Sequence, residues 1–172
     1  LSRLPVAREN VAVFFPGSTI GNFDPEQALA FLTRARAVGG KLVIGVDLVK
    51  PVSVLEPAYD DALQVTAAFN RNLLLHLNRL IGSDFDIADW RHVAFFNAAA
   101  SRIEMHLEAV RDARVCWPGG ERRFAAGERI HTENSCKWRV DDFAALLRDA
   151  GFSDTRVWRD EQDWFAVFAV HA

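Results

Sequence analysis

The chain has 172 residues, half of them apolar and a quarter charged, with a net charge of −3. This supports a domain with a sizeable core and excludes a disordered or fibrous chain. The longest basic cluster is Arg122-Arg123, which excludes a phosphate-tracking nucleic-acid surface, and no apolar run reaches the length of a membrane span.

Cys116 and Cys136 form no CxxC and no paired His/Cys spacing. They read as reduced thiols of a cytoplasmic protein, with no metal site. The amino terminus, Leu1-Ser-Arg-Leu-Pro5, has no signal-peptide layout and no Met, which suggests that the chain begins inside a longer protein.

Val11-Ala-Val-Phe-Phe15 is an apolar run that suits a strand buried on both faces. A helix follows, with Asp24 as N-cap, Pro25 in its first turn, Gln27 completing a capping box and Gly39-Gly40 as its stop. Lys41–Val49 is a second apolar strand, so a parallel βαβ unit is expected. Ligands of open α/β sheets bind beyond the carboxyl ends of the strands. That rule places Gly17-Ser-Thr-Ile-Gly-Asn22 and the Asp47–Lys50 stretch at the functional edge.

A long helix is predicted over about residues 60–80, with Val65, Phe69, Leu73, Leu77 and Leu80 as its inward stripe. Beyond the Gly82-Ser83 break, 92–97, 103–110 and the segments around Trp117 and Phe124 read as antiparallel strands and hairpins. They are expected to form an insertion packed over the sheet. A helix over Val140–Ala150, capped by Gly151, and a hairpin of Thr155–Trp158 with Trp164–Val170 close the chain.

No GxGxxG and no ExGxG-like turn occurs, and Gly17-x-x-x-Gly21 has the wrong spacing for a pyrophosphate or adenosyl loop. Position alone leaves Asn22 open between binding a ligand past the first strand and capping the next helix. Tyr59, the sole tyrosine, suits either a carboxylate contact or an interfacial ring. Glu133 and Ser135, two residues apart, would share one strand face and could meet both nitrogens of an imidazole, or could be ordinary solvated groups. Met105 could line a pocket or fill a core gap.

Four segments together resemble the bacterial L-histidine Nα-methyltransferases of ergothioneine biosynthesis. They are Phe15-Pro-Gly-Ser-Thr-Ile-Gly-Asn-Phe23, Gly45-Val-Asp-Leu-Val-Lys50, Ala58-Tyr-Asp-Asp61 with Val65-Thr-Ala-Ala-Phe-Asn70, and Ile130-His-Thr-Glu-Asn-Ser135. Arg102-Ile-Glu-Met105 adds a weaker fifth.

The resemblance implies an α/β fold: the second half of a class I, Rossmann-like methyltransferase sheet with an inserted antiparallel β substrate-binding subdomain. It divides the chain into 1–52 and 139–172 for the sheet and 53–138 for the insertion. It implies transfer of up to three methyl groups from S-adenosyl-L-methionine to the α-amine of L-histidine, giving hercynine. Gly17, Asn22 and Tyr59 would bind the amino-acid end, Asn22 at the reacting amine, while Met105, Glu133 and Ser135 hold the imidazole. The main cofactor loop would lie in an amino-terminal half of the same protein. Two alternatives stay open: a non-catalytic amino-acid-binding or regulatory fragment, and a methyltransferase for another amino acid.

Overall fold

The computed structural model describes residues 11–172; the reading of Leu1–Pro5 lies outside them. The described chain divides into two compact units. The first holds the chain up to Lys50, Ala98–Arg102 and Ser135–Ala172, and the second holds Pro51–Asn97 and Ile103–Asn134.

In the first unit the local signals act as expected. Strand β1 (Val13–Phe15) leads into a 3-10 turn (Thr19–Asn22) and helix α1 (Pro25–Gly39). The Asp24 carboxylate accepts the Gln27 N–H at 2.8 Å and the Gln27 side chain accepts the Asp24 N–H at 3.2 Å. A cap of this kind is worth about 1 kcal/mol. Gly40, at φ 69°, ends the helix. Strand β2 (Lys41–Asp47) pairs parallel with β1, and the closing strands β8 (Ser153–Arg159) and β9 (Phe165–His171) are antiparallel, in sheet order β1-β2-β9-β8.

Helix α4 (Val140–Asp149) packs with α1 over a core of Leu32, Leu42, Ile44, Phe143, Leu147 and Phe168. Burial of β1 on both faces is not observed. It is an edge strand of the described sheet, and its Phe14 is 70% exposed.

The second unit opens with the short helix α2 (Val52–Leu55) and a 3-10 turn (Glu56–Ala58), followed by helix α3 (Val65–Ile81). A three-stranded sheet has the order β3-β4-β7, built from Trp90–Asn97, Arg102–Ala109 and Arg129–Cys136. Strands β5 (Ala113–Trp117) and β6 (Gly120–Phe124) form a separate antiparallel hairpin.

The inward stripe expected on α3 is corrected. Its buried residues are Ala67, Asn70 and Leu74, while Val65, Phe69, Leu73 and Leu80 are exposed. Asn70 sets the rotation of the helix, because its amide donates to His92 Nδ1 at 2.9 Å and to the His106 carbonyl at 3.1 Å. A buried amide without partners would be costly, so this pair of bonds holds the polar face inward.

Strand β4 alternates. Ile103, Met105, Leu107 and Ala109 enter apolar clusters, and Glu104, His106 and Glu108 take the other face. That polar face is also buried, because β4 is the middle strand and long side chains from its neighbours lie across it. Arg91 of β3 and Arg129 of β7 both bind Glu108 and hold its carboxyl below the usual range.

Candidate amino-acid-binding site

The turn after β1 is tied to the end of β2. Ser18 adopts a left-handed conformation (φ 55°), and its hydroxyl accepts the Asp47 N–H at 2.8 Å. Gly17 and Asn22 are exposed at the two ends of this turn. Asn22 does not cap α1, since Asp24 does. That removes the helix-capping alternative for its amide.

Gly21 is buried, and a Cβ there would stand 3.0 Å from the Cys136 carbonyl oxygen and 3.5 Å from Ser135 Oγ. The turn therefore abuts the end of β7. The Cys136 thiol donates to the Phe23 carbonyl at 3.3 Å, and its burial raises the thiol pKa. A nucleophilic role is disfavoured, since the thiolate is the reactive form.

Beneath Ser135 lies a charged network that sequence reasoning missed. The fully buried Lys137 side chain donates to Ser135 Oγ at 2.9 Å and to Asp47 Oδ2 at 2.7 Å. Lys50 binds Asp47 Oδ1 at 2.6 Å. The Lys137 backbone is clamped as well: its N–H reaches the Ser101 carbonyl at 2.8 Å, and the Ser101 hydroxyl reaches the Lys137 carbonyl at 2.7 Å. A buried ammonium is tolerated only with such compensation. The available signal was Asp47 at the carboxyl end of a strand; its partner Lys137 lies too far along the chain to be paired by spacing.

In the second unit Tyr59 follows the 3-10 turn and packs against the cluster of Leu55, Ile103 and Met105. His92 fixes its backbone. Because the Asn70 amide donates to Nδ1, the His92 proton is assigned to Nε2, which bonds the Tyr59 carbonyl at 2.8 Å. Two residues further on, Asp61 caps α3. Its carboxylate accepts the Thr66 and Val65 N–H groups at 2.8 and 3.0 Å, bonds that lower its pKa from 3.8 to about 2.

Glu133 and Ser135 lie two residues apart on β7 and so face one way. His131 shares that face and stacks on His106 with ring centroids 4.6 Å apart. Met105 lies between Glu104 and His106 in sequence, so its side chain takes the opposite face, alongside Tyr59. The structure thus groups Gly17, Asn22 and Ser135 in one unit and Tyr59 with Met105 in the other.

Glu104, His106 and His131 bring potential metal-binding atoms within 4.8 Å of one another. The two imidazoles stack only 19° from parallel. In-plane lone pairs of near-parallel rings do not converge on one ion, so the arrangement favours stacking over ligation.

The described residues fit S-adenosylmethionine poorly. A methionine–adenosine ligand needs a glycine-rich turn and a free acid for its ribose. Asp47, the acid at the carboxyl end of β2, is engaged by two lysines.

A mixed α/β sheet with a polar cradle beyond the carboxyl ends of its parallel strands is the layout of a small-molecule-binding α/β protein. The sequence profile described as "Histidine-specific methyltransferase, SAM-dependent" matches residues 1–172, and the chain belongs to that family. It is 43% identical over 172 residues to histidine N-alpha-methyltransferase of Mycolicibacterium smegmatis, covering 97% of this chain and 53% of that protein. Against the protein of the same name from Mycobacterium tuberculosis the identity is 42%, with the same coverages. The chain spans about half the length of these curated relatives. Among solved structures, the CcbJ methyltransferase from Streptomyces caelestis is similar at 14% identity and a TM-score of 0.48, covering 98% of this chain and 64% of that one. Among the described residues no helix is long and apolar enough to cross a membrane.

Proposed function

We propose that this chain supplies the amino-acid site of an enzyme that methylates the α-amine of L-histidine to hercynine, using S-adenosyl-L-methionine. The observation that carries the reading is the packing of the Gly17–Asn22 turn against Ser135. It joins a group suited to an amine with one suited to an imidazole. Family membership gives that pairing its meaning. The antiparallel second unit is read as the substrate-binding subdomain, and the cofactor as held mainly by an amino-terminal half of the protein.

S-adenosylmethionine, when bound, supplies an electrophilic methyl on a positively charged sulfur. What this chain must do is hold a neutral amine in line with it, because an in-line displacement is accelerated when the reacting atoms are held close and aligned. The Asn22 amide can accept from the amine while leaving its lone pair free. Tyr59 offers a phenol to the carboxylate without adding a full charge. Glu133 accepts one ring N–H and Ser135 meets the other nitrogen. A carboxylate left without its N–H partner rejects apolar amino acids. Met105 supports Tyr59 from the core side of the sheet.

Calorimetric titration of the full-length protein with L-histidine, with and without S-adenosylhomocysteine, tests this. Glu133→Ala should weaken histidine binding by about 10- to 100-fold, the loss expected for one charged hydrogen bond. Asn22→Ala should lower kcat more than it raises KM. Equal loss for every amino acid tested in Glu133→Ala would remove the imidazole role.

A further inference from the structure

Helix α3 buries one face, through Ala67, Asn70 and Leu74. Roughly 120° round the helix, at 3.6 residues per turn, lies a second face that the described residues leave largely in solvent. Val65, Phe69, Leu73, Leu77 and Leu80 follow spacings of four and three there, which sets them in one row. Val65, Phe69 and Leu80 are 64%, 66% and 68% exposed, Leu73 is 38% exposed, and Leu77 is half-buried. Exposed apolar residues scattered singly mean little, but a contiguous row along a 17-residue helix marks a surface built to be covered.

A second copy of this chain fits the row poorly. A stable dimer needs about 800 Å² from each partner, and a strip one helix wide and about 25 Å long offers less. Helix α3 also carries Arg71 and Arg79 and no acidic residue, so two copies of it would repel. A tethered segment needs no such area, because its tether holds it at high effective concentration. The chain spans 53% of the Mycolicibacterium smegmatis relative, so nearly half of a protein of that length lies outside these residues. Resting on the amino-terminal half proposed above, we infer that this row is an interaction surface for an amphipathic helix of that half, in the same polypeptide, packed along the row by its four-residue ridges. Arg79, exposed beside Leu80, would meet an acidic side chain at the rim of that helix. In the 172-residue chain by itself the row meets solvent, so a polar residue at position 69 changes its stability little. In the full-length protein the same change would remove a packed ring.

The test places a photo-reactive side chain in the row of the full-length protein, as Leu73→p-benzoylphenylalanine, and maps the cross-linked peptides by mass spectrometry. The expected product is a link within one polypeptide, to a single peptide that precedes this chain. A cross-linked dimer, or a link to another segment of residues 11–172, overturns the inference. A second measurement is the rate of maleimide labelling of the native full-length protein in a Cys116→Ser background. Leu80→Cys should react at least about tenfold more slowly than Arg123→Cys, a control on β6 whose side chain is 81% exposed. Equal rates overturn the inference. Should the benzophenone variant not fold, the labelling ratio decides. A native protein that carries no chain before these residues fails the underlying reading of an amino-terminal half, an outcome distinct from a longer protein whose row labels freely.

Discussion

A methyl group added at residue 21 would meet the Cys136 carbonyl at 3.0 Å and its amide nitrogen at 3.4 Å. Neither backbone atom can withdraw without moving the end of β7, and Ser135 sits there. Gly21→Ala is therefore expected to weaken histidine binding at least several-fold, at a stability cost of about 1–3 kcal/mol. Parallel calorimetry and chemical denaturation would check both. A variant with normal affinity would show that the turn and the strand do not cooperate in binding. Of the residues around this point, the turn glycines and Asn22 were legible in the sequence because their spacing is local. The lysine under Ser135 was not, because a buried ion pair between β2 and the segment after β7 leaves no periodic trace. Met105 was placed correctly on a strand, but sequence gave no means of knowing which sheet face the pocket would use.

At the scale of the element, α3 is the instructive case. Its apolar periodicity was readable, yet Val65, Phe69, Leu73 and Leu80 of the stripe it marked are exposed, and the buried face mixes one small, one polar and one large apolar residue: Ala67, Asn70 and Leu74. Periodicity reports that a helix is amphipathic but not which side the neighbouring sheet takes, and here Asn70 decided it. Leu74→Ala is expected to cost about 2–5 kcal/mol by opening a cavity, whereas Phe69→Ser on the exposed stripe should change stability by less than about 0.5 kcal/mol. Urea midpoints of the two variants would separate the faces.

The start of α3 also carries an acid-sensitive cap. Asp61 is depressed from 3.8 to about 2 by the backbone N–H groups it accepts. A carboxylate stabilised in the folded state contributes fully above its ordinary pKa and loses that contribution as pH falls through the folded value. Helicity followed by circular dichroism should therefore fall between about pH 4 and pH 2, the span of the shift. Asp61→Asn should lose that acid step and melt a few degrees lower at neutral pH. Helix α1 needed no such correction, because its capping box and glycine stop are local signals that the fold obeys.

Across the whole molecule, the parallel βαβ opening and the closing antiparallel hairpin were legible because strand direction follows from connection length. The division into two units was less so. The chain passes between them after Lys50, Asn97, Arg102 and Asn134, so neither unit is a contiguous stretch, and segments far apart in sequence complete each one. The brief return of Ala98–Arg102 to the first unit delivers Ser101 to the Lys137 backbone. This interleaving bears on how such a protein can be recombined. A single exchange of gene segments cannot transplant the second unit into another scaffold. A graft cut at Pro51 and Asn134 would carry away the five-residue loop on which Lys137 rests, so the buried lysine and the loop that clamps it are inherited together.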